Sequence, residues 1–121
     1  MSQSLKRELT TRKDIEELVN RFYARVMTNE LLGPLFAHLD WTVHKPIMHN
    51  FWSSMMLGDN SYQGNPLAKH IPLNINKAHF AEWLLLFDQT VNDMFVGTAA
   101  EEIKTRANQI AGVFQVKLGL W

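Results

Sequence analysis

Apolar side chains recur every three or four residues along four stretches of the chain. This spacing matches the turn of an α-helix and places the apolar groups on one helical face. The first stripe consists of Ile15, Leu18, Val19, Phe22 and Val26. Together the four stripes predict helices over residues 13–28, 42–57, 77–96 and 99–118. No stretch shows the two-residue alternation typical of a strand, so the pattern predicts an all-α chain.

Turn-forming residues separate the predicted helices. The pair Gly33-Pro34 interrupts the chain after the first helix, and Gly58 and Gly97 are expected to end the second and the third. Two shorter helical segments are expected over residues 35–39 and 67–71. The segments between the helices are short, and no internal repeat or linker divides the chain.

Length and composition indicate one globular domain. The chain has 121 residues, of which 46% are hydrophobic and 20% charged, and these values suit a domain with its own core. We therefore expect a single domain over residues 1–121. Residues 1–12 are mostly polar, and we expect them to form a loosely ordered N-terminal segment.

The charge balance bears on partners and location. Twelve Lys and Arg residues balance twelve Asp and Glu residues, so no basic excess is available to neutralise phosphates, and we expect no nucleic-acid partner. No stretch approaches the ~20 apolar residues that a membrane span needs. The polar start lacks the apolar core of a secretory signal. Together with the absence of cysteine, these features favour a cytoplasmic protein.

The histidines limit the kinds of metal site that the chain can build. No two of them are four residues apart, as a zinc-binding helix face would require, and without cysteine covalent haem attachment is excluded. The five residues are His38, His44, His49, His70 and His79. One histidine as the axial ligand of a haem iron suits this pattern, because the porphyrin supplies the other nitrogens. The alternative is a cofactor-free helical interaction module, since the same apolar stripes also make an ordinary core.

Several segments, in order and at compatible spacing, resemble the group III truncated haemoglobins of bacteria. These segments are Phe22-Tyr-Ala-Arg-Val, Leu32-Gly-Pro-Leu-Phe, His44-Lys, Asn50-Phe-Trp, Met56-Leu-Gly, Tyr62-Gln-Gly-Asn-Pro-Leu, Lys69-His, Phe80-Ala-Glu-Trp-Leu-Leu-Leu-Phe and the stretch 107–114. They cover nearly all of residues 14–117. The resemblance implies a globin-like fold of the truncated kind, a two-over-two helical sandwich, that holds haem b non-covalently.

The resemblance also implies roles for particular residues. His70 matches the histidine that binds the iron, and Tyr23, His44 and Trp83 match the polar residues that face the bound ligand. Phe36 matches an aromatic that packs against the haem. Further pocket residues implied by the match are Met48, Phe51 and Trp52, and Lys69 and Lys45 are candidate partners of the haem propionates.

Two residues leave alternatives open. His79 is the rival of His70 as axial ligand, although its place at the start of a helix favours solvent exposure or a capping role. Thr42 is the expected N-cap of the second helix, which would place Pro46 in its first turn, where a missing N–H costs little. Because Pro46 follows His44 closely, the sequence does not decide whether His44 faces the ligand, faces solvent or binds the iron.

The implied function is the binding of O2, and of other diatomic gases such as NO and CO, at ferrous haem iron. Three polar donors around the ligand suit retention and redox chemistry, such as NO dioxygenase or peroxidase-like activity, better than oxygen transport. Such chemistry needs an electron-donating reductase as a partner. A gas sensor is a further alternative, although sensors usually pass their signal to a second domain or partner.

Overall fold

The computed structural model describes residues 6–37, 40–59 and 75–117. These ranges contain five helices, which in chain order are α1 Arg12–Thr28, α2 Gly33–Phe36, α3 Trp41–Leu57, α4 Lys77–Met94 and α5 Thr98–Lys117. Helix α1 packs against α2, α3 and α4, and α4 packs against α5. None of the helices in the described ranges is long and apolar enough to cross a membrane. The predicted segment over residues 67–71 lies outside these ranges.

Helix α1 is fixed at its start by a capping box. The Thr11 side chain accepts a hydrogen bond from the Asp14 amide, and the Asp14 carboxylate accepts one from the Thr11 amide in return. The predicted apolar stripe then faces inward, since the side chains of Ile15, Leu18 and Phe22 are completely buried. This helix therefore forms the centre of the core against which the other helices pack.

Part of the N-terminal segment contacts the rest of the chain where it is described. The Arg7 carbonyl accepts a hydrogen bond from the Val96 amide, and the Arg7 guanidinium lies over the Phe95 ring at 5.2 Å. Leu9 is buried in the core. Both the backbone and the side chain of Arg7 therefore contact the chain just after α4.

Helix α3 begins at a different residue from the one predicted. Asp40, rather than Thr42, is the N-cap, and its carboxylate accepts a hydrogen bond from the Thr42 amide. Pro46 consequently lies inside the helix, beyond the first turn, where it withholds an N–H from the Thr42 carbonyl. The helix ends as predicted at Gly58, whose φ of 68° places it in the left-handed region that favours glycine.

Candidate functional site

An apolar cavity lies between the helices. The space between its lining side chains, counted together with the open mouth, is about 670 Å³. All five helices contribute to its wall. The lining residues are Tyr23, Leu32, Leu35, Phe36, Met48, Phe51, Trp52, Ile75, His79, Phe80, Trp83, Ile110, Ala111 and Phe114. Nearly all of them are aliphatic or aromatic, so the cavity suits a large apolar ligand.

Two polar groups of the cavity wall lie close to each other. The indole N–H of Trp83, which can only donate, is near enough to the Tyr23 hydroxyl to lower the pKa of that group. Burial has the larger effect and raises the pKa of Tyr23 well above its usual value. The phenol is therefore neutral, and its own proton is available to an acceptor.

Packed rings hold Trp83 in place. Its indole stacks on Phe87 with ring centroids 5.5 Å apart and an interplanar angle of 12°. Phe87 also stacks on Trp52 at 5.0 Å, and Phe22 meets both Trp83 and Phe87 edge to face. Because Phe22 and Phe87 are completely buried, this cluster fixes the direction of the indole N–H.

His44 is directed toward Tyr23. The two rings meet edge to face with centroids 5.8 Å apart, and the Nε2 atom of His44 is buried. Trp41, one turn earlier on α3, contacts the rings of both His44 and Tyr23 at 5.1 Å. The ring is therefore turned toward Tyr23 rather than toward solvent despite the position of Pro46, although His44 is not part of the cavity wall itself.

The other predicted pocket residues in the described ranges lie on the second and third helices. Phe36, Met48, Phe51 and Trp52 all line the cavity, and only Phe51 is partly exposed. Lys45 is half-buried on α3 beside His44 and is not part of the cavity wall. The remaining two predicted residues, His70 and Lys69, lie outside the described residues, as do His38 and the loop that precedes His70.

His79 has a geometry that opposes metal binding. Its Nδ1 atom accepts a hydrogen bond of 3.0 Å from the Asn76 amide, which completes the capping box at the start of α4. A neutral imidazole that accepts at Nδ1 carries its proton on Nε2, so it has no lone pair left for a metal. Metal-binding histidines normally donate from the second ring nitrogen instead. The predicted capping role of His79 is confirmed, although the ring also lines the cavity.

The chemistry of the wall fits a haem group. A macrocycle needs a large apolar cavity with few polar groups. The described wall has aromatic rings on all five helices, and its only polar side chains are those of Tyr23, Trp83 and His79. In the part of the chain that is described, no group of three or more His, Cys, Asp or Glu side chains is arranged to hold a metal ion. A cofactor that brings most of its own iron ligands agrees with both observations.

Sequence reasoning missed part of this site. Ile110, Ala111 and Phe114 line the cavity from α5, whereas their spacing indicated only an apolar helix face. Trp41 was missed altogether, because it precedes the predicted start of its helix and belongs to no motif. Its ring contacts with Tyr23 and Phe36 indicate its place beside the site. These contacts form only in the folded chain, so the sequence gives no sign of them.

Comparison with known proteins gives one consistent result. The model of the bacterial-like globin family matches residues 8–114. The group 3 truncated hemoglobin ctb of Campylobacter jejuni is 35% identical over 118 residues, which span 92% of this chain and 93% of that protein. The group 1 truncated hemoglobin GlbN of Nostoc commune is 33% identical over 67 residues, or 54% of this chain and 57% of the relative. The crystal structure of the Campylobacter jejuni group III truncated hemoglobin superposes with a TM-score of 0.86 over 94% of this chain and 95% of that one.

The helical sandwich and its aromatic cavity are those of a globin, which confirms the predicted fold class. The chain belongs to the bacterial-like globin family, and its relatives place it with the group III truncated haemoglobins. It is a haem-binding globin, and haem b is the usual cofactor of this group. The interpretation as a cofactor-free interaction module is therefore wrong: the apolar stripes that suggested a plain core surround a cofactor cavity.

Proposed function

We propose that this globin retains O2 for redox chemistry rather than releasing it for transport, with His70 as the axial ligand of the haem. The haem iron supplies the position at which O2, NO or CO binds. The observation that carries the proposal is that two donor side chains, Tyr23 and Trp83, lie close together in an otherwise apolar cavity wall. Because burial keeps the Tyr23 phenol neutral, its proton can be donated to the gas ligand.

The retention of O2 follows from the strength of such hydrogen bonds in a dry cavity. O2 bound to a ferrous centre carries partial negative charge, and donors fixed in an apolar wall stabilise that charge without reorganising. Charge-assisted hydrogen bonds contribute about 1.5–3 kcal/mol each. Two donors, Tyr23 and either Trp83 or His44, would therefore slow the escape of O2 by about two powers of ten or more.

Slow release favours consumption of O2 over delivery. Reaction of the retained O2 with NO yields nitrate, which makes an NO dioxygenase the first candidate activity and peroxidase-like chemistry the second. Either use requires an electron-donating reductase to restore the ferrous state, and such a partner fits the cytoplasmic location expected from the sequence. Lys69 and Lys45 are the proposed partners of the propionates, and the half-buried position of Lys45 beside His44 is compatible with that role.

The O2 dissociation rate tests the proposal. The protein, loaded with haem and reduced, would be mixed with excess CO to measure that rate in the native chain and in Tyr23→Phe and Trp83→Phe. We expect at least a tenfold faster release for Tyr23→Phe, which keeps the ring and removes only the donor. CO, a much poorer acceptor, serves as the matched ligand, and its release should change far less. Release of O2 at the native rate from both variants would refute the proposal.

A further inference from the structure

We propose that Trp41 is a further positioning and specificity residue of this globin, whose indole N–H donates to an oxygen atom that enters on the Tyr23 side of the cavity. The acceptor is the gas ligand itself or a water molecule held there before the gas enters. The inference rests on the proposed function, since it adds a donor to the same site. Neither the sequence pattern nor the resemblance pointed to this residue.

The first observation is an unsatisfied polar atom. The Nε1 atom of Trp41 is buried, and no hydrogen-bond acceptor lies within reach of it in the described structure. A buried donor without a partner costs about 1–3 kcal/mol, and native structures contain few of them. The position is therefore expected to receive its acceptor from a molecule other than the chain.

The second observation is the set of rings around Trp41. Its indole lies 5.1 Å from the Tyr23 ring and 6.2 Å from the Phe36 ring, measured between centroids. Both of these residues line the cavity. The remaining ring neighbour is His44, also at 5.1 Å. Trp41 thus lies beside Tyr23 and His44, two of the three residues proposed to face the ligand. A small oxygen-bearing molecule at that place would meet donors from Trp41 and from both of these side chains.

The polar groups around Trp41 do not supply the missing acceptor. Neither of its polar ring neighbours, Tyr23 and His44, forms a hydrogen bond with its Nε1 atom. The Oδ1 atom of Asp40 accepts from the amide and the hydroxyl of Thr42. An incoming O2 molecule or a water has the lone pairs that the indole N–H requires, and it is small enough to enter between packed rings.

A pair of variants separates donation from packing. Trp41→Phe and Trp41→His both replace the two fused rings of the indole with a single ring, so the two variants lose a similar amount of packing. Only the histidine variant keeps an N–H donor. Both would be loaded with haem, and two quantities would be measured: the O2 dissociation rate, and the C–O stretching frequency of the CO complex, which falls when a donor approaches the ligand. We expect Trp41→Phe to release O2 about tenfold faster and to raise the C–O frequency, and Trp41→His to remain near the native values on both measures.

Equal changes in the two variants would overturn the proposal, because loss of packing alone would then explain them. Native values in Trp41→Phe would overturn it as well. If Trp41→Phe does not fold, Trp41→His decides: native values support donation, and a release as fast as that of Tyr23→Phe contradicts it. Tyr23→Phe also distinguishes the two proposals, since an effect there without one at position 41 would leave the proposed function standing and remove only this inference.

Discussion

The indole N–H of Trp83, in the middle of α4, lies near the hydroxyl of Tyr23, in the middle of α1, in the cavity wall. Both rings also pack against Phe22. Burial raises the pKa of Tyr23 and the nearby indole N–H lowers it, and the effect of burial is the larger. The surroundings of Tyr23 thus keep the proposed ligand donor in its neutral, proton-bearing form.

Tyr23 is expected to stay protonated at alkaline pH. Burial raises its pKa far above the usual value near 10, so the neutral, donating form persists where an exposed tyrosine ionises. The chain has two tyrosines, and an ultraviolet titration of the folded protein should show the amplitude of at most one of them up to about pH 11. Tyr23→Phe should leave that amplitude unchanged. An amplitude of two tyrosines near pH 10 would show that the phenol is solvated.

The axial ligand can be assigned by comparing two histidines. His70→Ala should lose the native spectrum of the haem-loaded ferrous protein, and added imidazole should restore it, because the free imidazole can occupy the place of the side chain. His79→Ala is the matched control. Its Nδ1 atom already accepts from Asn76, so its loss should weaken the start of α4 by about 0.5–2 kcal/mol and leave the ligation spectrum intact. If His79→Ala lost the native spectrum and His70→Ala kept it, His79 and not His70 would be the axial ligand.

The sequence predicted those parts of the fold that depend on local periodicity. The stripe around Phe22 and the terminal glycines Gly58 and Gly97 placed the long helices within a few residues. The prediction of the N-cap of α3 was wrong, because Asp40 and Thr42 are both good N-cap residues and only the folded chain decides between them. In the site, Tyr23 and Trp83 were identified through the resemblance, but their closeness to each other and the position of Trp41 depend on contacts between distant helices. No local pattern encodes such contacts.

Gly33 is expected to tolerate no side chain. A Cβ atom added there would lie 2.8 Å from the Met27 carbonyl oxygen, a backbone atom that cannot move without disturbing the end of α1. Gly33→Ala should therefore destabilise the protein by about 1–3 kcal/mol in urea unfolding. It should also shift α2, which carries Phe36 into the cavity. Gly112→Ala is the control, and we expect it to stabilise the protein. No atom lies within 4 Å of a Cβ added there, so the free energy of unfolding should rise by about 0.4–1 kcal/mol. A neutral Gly33→Ala would mean that the two segments are not closely packed.

Asp14 should make the stability of this globin depend on acid pH. The carboxylate is almost completely buried, and burial by itself raises its pKa. Hydrogen bonds from the Thr10 amide, the Arg7 guanidinium and the Thr11 amide outweigh that effect and lower the pKa from 3.8 to about 2. Since the pKa is lower in the folded state, the stabilisation is complete above pH 3.8 and is lost as the pH falls toward 2.

The difference between those two pKa values corresponds to about 2 kcal/mol. Asp14→Asn should therefore reduce the free energy of unfolding by about that amount at pH ~7 and by much less at pH ~2, where the native carboxyl is itself becoming protonated. Asp93→Asn removes an exposed ion pair with Arg25 and should cost less than about 1 kcal/mol at any pH. Denaturant unfolding of the native chain and of the two variants at both pH values measures the differences in the free energy of unfolding. An effect of acid that is common to all three proteins cancels in these differences. A cost of Asp14→Asn that stays constant with pH would assign the role of this residue to its shape as a helix cap rather than to its charge.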